Sequence, residues 1–164
     1  MDYDEYKNLL RAIKKNFGKD LGIKWNVPSL QPVPDVVSPD IIGWRLKWAG
    51  VFVADKHYIC VREHWQGSSK DPISRQFFSY HYGPYIRLEG LDDARWKAVV
   101  ARIDSVSYSG RGPHIHDNDK DKRIFQDQLT DPDLSQFDIP KFIECAIKTR
   151  RAQTVTQAFD LRFK

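Results

Sequence analysis

Two histidines one residue apart, His114 and His116, give the strongest signal of chemistry in the chain. If their segment is extended, both imidazoles point to the same side. Imidazole titrates near neutral pH, so such a pair can supply one base and one acid for the cleavage of RNA. The same pair can hold a divalent metal ion with Asp117 or Asp119 as a carboxylate ligand, or it can be ordinary polar surface of a loop.

A second group of polar side chains follows from the strands expected at 75–82 and 97–106. If these strands pair, His81 lies near Arg102 and Asp104. An arginine held by a neighbouring carboxylate can face a phosphate, although the same two residues can also form a purely structural ion pair.

The segment 75–82 alternates so that its side chains divide between two faces. We expect Arg75 to share a face with His81, and Tyr80 to lie on the opposite face with other aromatic side chains. Aromatic rings on a strand can stack unpaired bases, which makes Arg75 and Tyr80 candidates for RNA binding; the alternative is that the rings belong to the core.

The positive charge is concentrated at the C-terminal end. Residues 1–140 hold 20 basic and 20 acidic side chains, whereas residues 141–164 hold six and two. A basic patch that includes Lys148, Arg150 and Arg151 can bind nucleic acid phosphates or an acidic protein, or it can be a solvated helix face.

The spacing of apolar residues along the chain predicts the helices and strands that position these residues. Apolar residues recur at helical spacing over 2–17, where Asp2 can cap the start and Gly18 can supply a left-handed stop. Residues 18–43 are rich in proline and are expected to be extended across the core. Alternating segments then predict strands, one of which runs from Trp44 and either continues past a bulge at Gly50 or ends there.

The C-terminal part predicts a helix over 138–151, capped by Asp138, and a final strand in 155–163. The chain is therefore expected to be one α+β domain over 1–164, with a mainly antiparallel twisted sheet flanked by an N-terminal and a C-terminal helix. Its parts are a helix and proline-rich segment (1–43), a β-rich core with the candidate site (44–121), and a helix and strand (122–164).

Several function classes find no support in the sequence. Phosphate-binding P-loops, dinucleotide-binding glycine motifs, α/β-hydrolase elbows and Cys-x-x-Cys pairs are missing. The acidic run at 117–121 lacks the glycine and glutamate of a calcium loop. We expect no membrane segment and no signal peptide, and we expect Cys60 and Cys145 to be buried thiols of a cytoplasmic protein.

Three short motifs occur in a recognisable order. Phe78-Ser79-Tyr80-His81 is followed by Arg102-Ile103-Asp104-Ser105 and then by Pro113-His114-Ile115-His116. Over roughly residues 44–120 the chain resembles the TumE-like small toxins of prokaryotic toxin–antitoxin modules. It departs from their pattern by lacking one histidine of the last motif, by an insertion at 83–96, and by its first 43 residues.

The resemblance implies a cytoplasmic toxin that acts on RNA and is held inactive by a cognate antitoxin. On this hypothesis the chain is an endoribonuclease that needs no metal or other cofactor, because RNA carries its own 2′-hydroxyl nucleophile. His114 and His116 are then the acid–base pair with His81 assisting, while Arg102 stabilises the phosphorane charge and Asp104 orients Arg102. The alternatives are a metal-dependent nuclease and a non-enzymatic nucleic-acid-binding or regulatory partner protein that uses the basic C-terminal region.

Overall fold

The fold is described for most of the chain. The computed structural model describes residues 1–37, 40–54, 57–68, 72–84, 101–105, 110–116, 123–149 and 154–164. The helices are α1 (Tyr3–Leu21), α2 (Ile139–Thr149) and α3 (Val155–Ala158). The strands are β1 (Ile23–Trp25), β2 (Ser29–Pro34), β3 (Ile41–Phe52), β4 (His57–Gln66), β5 (Ser74–Pro84), β6 (Ala101–Asp104), β7 (His114–His116), β8 (Arg123–Phe125), β9 (Leu129–Asp131) and β10 (Arg162–Phe163).

Helix α1 begins where the sequence predicts and ends later. Asp2 accepts a hydrogen bond from the Glu5 amide, and the Glu5 side chain accepts one from the Asp2 amide, which forms a capping box. The stop expected at Gly18 is wrong, because one glycine inside a helix costs only about 1 kcal/mol. The helix ends instead at Gly22, whose φ of 61° is the left-handed conformation that glycine adopts without strain.

Eight of the ten described strands form one antiparallel sheet, β9 and β10 form a separate two-stranded sheet, and the chain is α+β. From β3 to β8 each strand pairs with the next along the chain, and the proline-rich segment adds β1 and β2 along β3. Strand β3 is continuous, so no bulge interrupts it at Gly50. A Cβ atom at Gly50 would lie 2.5 Å from the Trp25 ring, so this glycine permits the close approach of β1.

The two faces of the sheet differ in character. The inner face carries the hydrophobic core, against which α1 packs Tyr6 and Leu10 and α2 packs Phe142 and Ile143. The outer face carries the alternate side chains of the same strands, which include the candidate site. A strand that alternates in this way therefore contributes to the core and to the site at once.

A register shift in β5 moves Arg75 to the inner face. Trp65 pairs with Arg75 while His64 pairs with Phe77, so one extra residue of β5 is accommodated between these pairs. The expectation that Arg75 shares a face with His81 is therefore wrong, because a bulge reverses the alternation on one side of it.

The inner face also holds a buried polar network around Glu63. The hydroxyls of Tyr6 and Tyr80 and the Trp65 Nε1 donate hydrogen bonds to its carboxylate. Arg75 Nη1 lies 3.3 Å from Glu63 Oε1. The network joins α1 to β4 and β5, and it explains why a carboxylate is tolerated in the core.

The C-terminal segment is helical where a strand was expected. Helix α2 is capped by Asp138, which accepts from the Lys141 amide at 2.8 Å. The final strand expected in 155–163 is wrong for its first part, since α3 occupies Val155–Ala158 after the Thr154 cap, and only β10 remains, paired with β9. Cys145 is buried as expected, whereas Cys60 is half-buried. Among the described residues, no helix is both long and apolar enough to cross a membrane.

Candidate functional site

The candidate site lies on the outer face of β5, β6 and β7. The pairing register places His81 opposite Arg102, and Arg102 opposite His116. One row along, Ser79 lies opposite Asp104, and Asp104 lies opposite His114. Directly opposed residues of paired strands point to the same side, so these two rows bring six polar side chains together. We call this set the site cluster: Ser79, His81, Arg102, Asp104, His114 and His116.

Asp104 is at the centre of the site cluster. Ser79 Oγ donates to Asp104 Oδ1 at 2.5 Å and also lies 2.7 Å from His81 Nε2. Since the hydroxyl proton points to the carboxylate, the hydroxyl oxygen accepts from His81 Nε2. On the other side, Arg102 Nε lies 2.6 Å from Asp104 Oδ2, and His116 Nε2 lies 3.2 Å from the same oxygen.

The two histidines of β7 face each other. Their Nε2 atoms are 3.1 Å apart, and His114 Nε2 is 3.8 Å from Asp104 Oδ2. The His114 Nδ1 atom lies 3.4 Å from the backbone carbonyl oxygen of Gly112. An Nδ1 proton that is shared with this carbonyl leaves Nε2 of His114 with its lone pair, directed toward His116 and Asp104.

The loop before β7 is held in place by a stacked ion pair. Arg111 makes a bidentate interaction with Asp127, with Nη2–Oδ2 at 2.7 Å, and its guanidinium lies over the Phe125 ring. The Phe125 ring is also 5.1 Å from that of His114. The glycine-rich segment therefore leads into β7 through a fixed anchor, and this anchor supports the position of His114.

Burial separates the cluster into supporting and accessible residues. The side chains of Asp104 and His114 are 4% and 2% exposed, whereas those of Arg102 and His116 are 34% and 13% exposed. Arg102 and His116 are therefore the members that a ligand can contact, and the buried members hold them in place.

The protonation states follow from this environment. Burial opposes ionisation of Asp104, but interactions with His116 and His81, the charge of Arg102 and the hydrogen bond from Ser79 outweigh it, so the pKa of this carboxyl lies well below its usual range. Burial lowers the pKa of His81 and of His114 below the ordinary value of histidine. The cluster thus presents a carboxylate and uncharged buried imidazoles at neutral pH.

The outer face around the cluster is strongly basic. Lys47 lies directly opposite Arg62, although like charges at opposed positions are destabilising. Among the described strand residues, Asp104 is the only acidic side chain on this face. We call the arginines and lysines of these strands the basic face: Lys24, Arg45, Lys47, Arg62, Arg102 and Arg123.

The structure brings together five of the residues that the sequence singled out. His81, Arg102 and Asp104 meet as the expected strand pairing predicts, and His114 and His116 join them through the β6–β7 pairing. Ser79 was not among the predicted site residues. Its signal in the sequence is the spacing of two residues from His81, which puts both on one face of β5.

The remaining predicted residues lie elsewhere. Tyr80 is fully buried in the Glu63 network, so its ring has no free side on which to stack a base, and Arg75 contacts the same network and the Ser135 carbonyl. Lys148 is exposed on α2 and pairs with Asp160 at 2.5 Å. Arg150, Arg151 and Asp117 lie outside the described residues. The carboxylate that joins the two histidines in the described structure is Asp104.

Comparisons of the chain with protein-family models, with curated proteins and with solved structures return no match.

Proposed function

We propose that the chain is the toxin of a toxin–antitoxin module and cleaves RNA in the cytoplasm as an endoribonuclease. The observation that carries this proposal is the position of the site cluster, a buried carboxylate with three histidines and an arginine, in the middle of the basic face. Side chains that can move protons and neutralise phosphate charge are the requirements of phosphodiester cleavage.

The reaction uses the hydroxyl group that RNA provides. The 2′-oxygen loses its proton to a base and attacks the adjacent phosphorus, and the 5′-oxygen leaves with a proton from an acid. Arg102 supports this reaction because its ion pair with Asp104 holds the side chain while a third of it remains exposed. Its guanidinium N–H groups can bind the phosphate oxygens, where charge increases in the transition state.

The geometry modifies the roles expected for the two histidines of β7. An in-line displacement places the attacking and the leaving oxygen on opposite sides of phosphorus. The Nε2 atoms of His114 and His116 are only 3.1 Å apart, so both lie on the same side of the phosphorus. One of them therefore does not serve as the base while the other serves as the acid. His116 is the more exposed of the two, so this pair meets the substrate through His116.

The basic face supports a polyanionic substrate and an acidic inhibitor. Lys47 and Arg62 lie in the row of Asp104, at three and two strand spacings, which is about 14 and 10 Å. Phosphates on either side of the reacting group can bind there. A cognate antitoxin that binds the basic face through its own acidic side chains blocks access to the site cluster.

Growth arrest on expression tests the proposal. The wild-type chain is expected to arrest growth of a bacterial host and to cleave RNA when purified. His116→Ala is expected to abolish both effects while its circular dichroism spectrum stays unchanged, and Arg11→Ala, on the exposed side of α1, serves as the matched control that retains them. A folded His116→Ala variant that stays fully toxic contradicts the proposal.

A second candidate function is binding of nucleic acid without cleavage, as a regulatory partner protein. The basic face favours it, since a positive sheet surface binds phosphates whether or not chemistry follows. In the form first expected it depends on the basic C-terminal region, where the described Lys148 is already paired with Asp160. A protein of this kind binds RNA with a steep salt dependence. It does not cleave the RNA even when His116 is unchanged.

A further inference from the structure

We infer that His114, His116 and Asp104 form a binding site for one divalent transition-metal ion of the zinc type. The inference concerns what the site cluster holds and does not depend on the RNA-cleaving function proposed above. Asp104 replaces Asp117 as the carboxylate ligand considered from the sequence.

The three donor atoms have the spacing of a tetrahedral metal site. His114 Nε2 and His116 Nε2 are 3.1 Å apart. Asp104 Oδ2 lies 3.2 Å from His116 Nε2 and 3.8 Å from His114 Nε2. Zinc with bonds of about 2.0–2.1 Å places neighbouring tetrahedral ligands about 3.3 Å from one another. The triangle therefore matches one face of such a tetrahedron.

Hydrogen bonding alone accounts poorly for this convergence. A neutral imidazole carries one ring proton, so a proton on His116 Nε2 can point well to Asp104 or to His114 but not to both. With the His114 proton on Nδ1, one proton on His116 Nε2 serves only one of the two neighbouring acceptors at a time. A cation between the three atoms uses the lone pair of each of them.

Two of the three donor residues make the outer hydrogen bonds that are typical of metal ligands. Ligating histidines commonly donate their other ring N–H to a backbone carbonyl, and ligating carboxylates are themselves hydrogen-bonded. His114 Nδ1 lies 3.4 Å from the Gly112 carbonyl oxygen, and Asp104 Oδ1 accepts from Ser79 Oγ at 2.5 Å. The Ser79 hydroxyl is in turn held by His81. The two buried ligands, Asp104 and His114, are therefore each oriented by a further hydrogen bond.

The ligand set indicates which ion fits and how it is approached. Two imidazoles and one carboxylate suit zinc and its neighbours in the first transition row, whereas magnesium prefers an octahedral shell of oxygen atoms. The cluster is most exposed at His116 and Arg102, so a fourth ligand, water or a phosphate oxygen, enters from that side. If the ion were bound during the proposed reaction, His114, His116 and Asp104 would hold it, and it would supply Lewis-acid chemistry at the exposed side of the cluster.

Direct binding measurements test the site without any assay of activity. The full chain is treated with a chelator, dialysed and titrated with zinc chloride by calorimetry, and its melting temperature is followed by differential scanning fluorimetry. We expect one equivalent of zinc to bind, the melting temperature to rise, and magnesium chloride at the same concentration to have no effect.

Variants locate the ion. Changing partners outside the ligand shell already costs about 10–100-fold in metal affinity, so we expect Asp104→Asn and His116→Ala each to lose more than 100-fold. His64→Ala removes a histidine of the same sheet face outside the cluster and should bind zinc as the wild type does. His116 is partly exposed, so its variant is expected to fold even where Asp104→Asn does not.

The inference is overturned if the wild type shows no saturable binding, or if His116→Ala retains the wild-type affinity. Its failure is distinguishable from failure of the proposed function. Zinc binding by a protein that leaves RNA intact supports the metal site and contradicts the proposed nuclease function. RNA cleavage by a protein that binds no metal supports the nuclease function and contradicts the metal site.

Discussion

At the scale of single residues, burial and neighbouring charges together decide which side chains are ionised. Asp104 stays a carboxylate in a buried position because four partners stabilise its charge, namely His116, His81, Arg102 and Ser79. At His64, at the edge of the basic face, the surroundings instead disfavour the charged form of the side chain. Burial and then the charge of Arg45, directly opposite on β3, lower the pKa of His64.

The effect on His64 can be measured by substitution. Arg45→Gln removes a positive charge beside the imidazole, so we expect the pKa of His64 to rise toward the ordinary value of histidine. A titration of the His64 ring protons by NMR measures the change. Arg11→Gln, on α1 at the other side of the molecule, should leave this pKa where it is; an unchanged value in Arg45→Gln would contradict the electrostatic description of the face.

At the scale of elements, strand register assembles the site and close packing fixes the register. The rows that unite β5, β6 and β7 depend on pairing between segments that are distant in the chain. On the other edge, Gly50 lets Trp25 and Ile23 of β1 lie directly against β3. A glycine in a strand interior often marks such an approach of one backbone to another group.

A pair of glycine substitutions tests this packing. In Gly50→Ala the new methyl group would lie 2.5 Å from Trp25 and 2.7 Å from Ile23, so β1 must shift. We expect the free energy of unfolding to fall by about 1–3 kcal/mol, as in other overpacked cores. Gly112→Ala is the control, because apart from its two chain neighbours no residue lies within 4 Å of its new methyl group.

Urea denaturation of both variants gives the comparison. The Gly112→Ala variant should differ from the wild type by no more than about 0.5 kcal/mol, as expected for a surface substitution. Equal stability of the Gly50→Ala variant and the wild type would mean that β1 does not pack against β3 as described.

At the scale of the whole molecule, the sheet separates charge that is balanced along the chain. Residues 1–140 have equal numbers of acidic and basic side chains, yet the strands of the eight-stranded sheet direct all their described arginines and lysines except Arg75 to the outer face. The inner face holds Glu63 among phenols, an indole and one arginine. Within the described residues a positive surface lies on the sheet around the site cluster, while Arg150 and Arg151 of the expected C-terminal basic patch lie outside the described residues.

The basic face predicts a measurable salt dependence of RNA binding. Each phosphate contact to single-stranded nucleic acid contributes about 0.7 to the slope of log affinity against log salt. Removing two contacts in the double variant of Lys47→Ala and Arg62→Ala should reduce the slope by about 1.4. Fluorescence anisotropy of a labelled single-stranded RNA, measured at several salt concentrations, gives the slope.

A double variant on the opposite side of the molecule is the control for this measurement. Arg11→Ala with Lys14→Ala removes the same charge from α1, where both side chains are exposed. If both double variants lower the slope equally, net charge and not the basic face determines binding.

Local periodicity in the sequence is enough to predict the α+β class, the capped helices, the extended proline-rich segment and the pairing that brings His81 to Arg102. These features depend on alternation, capping and backbone restrictions that act over a few residues. Other features were decided only by contacts between distant segments. The bulge in β5 turns Arg75 inward, and the β6–β7 register makes Asp104 the partner of His114 and His116.

The physical reason is that alternation tells which residues share a face within one strand, but it does not tell which residues of another strand lie opposite them. Register is set by the packing of the whole core, and one extra residue reverses the faces beyond it. The sequence therefore supplied the chemical groups of the candidate site, while tertiary structure decided which of them meet and placed them on the basic face.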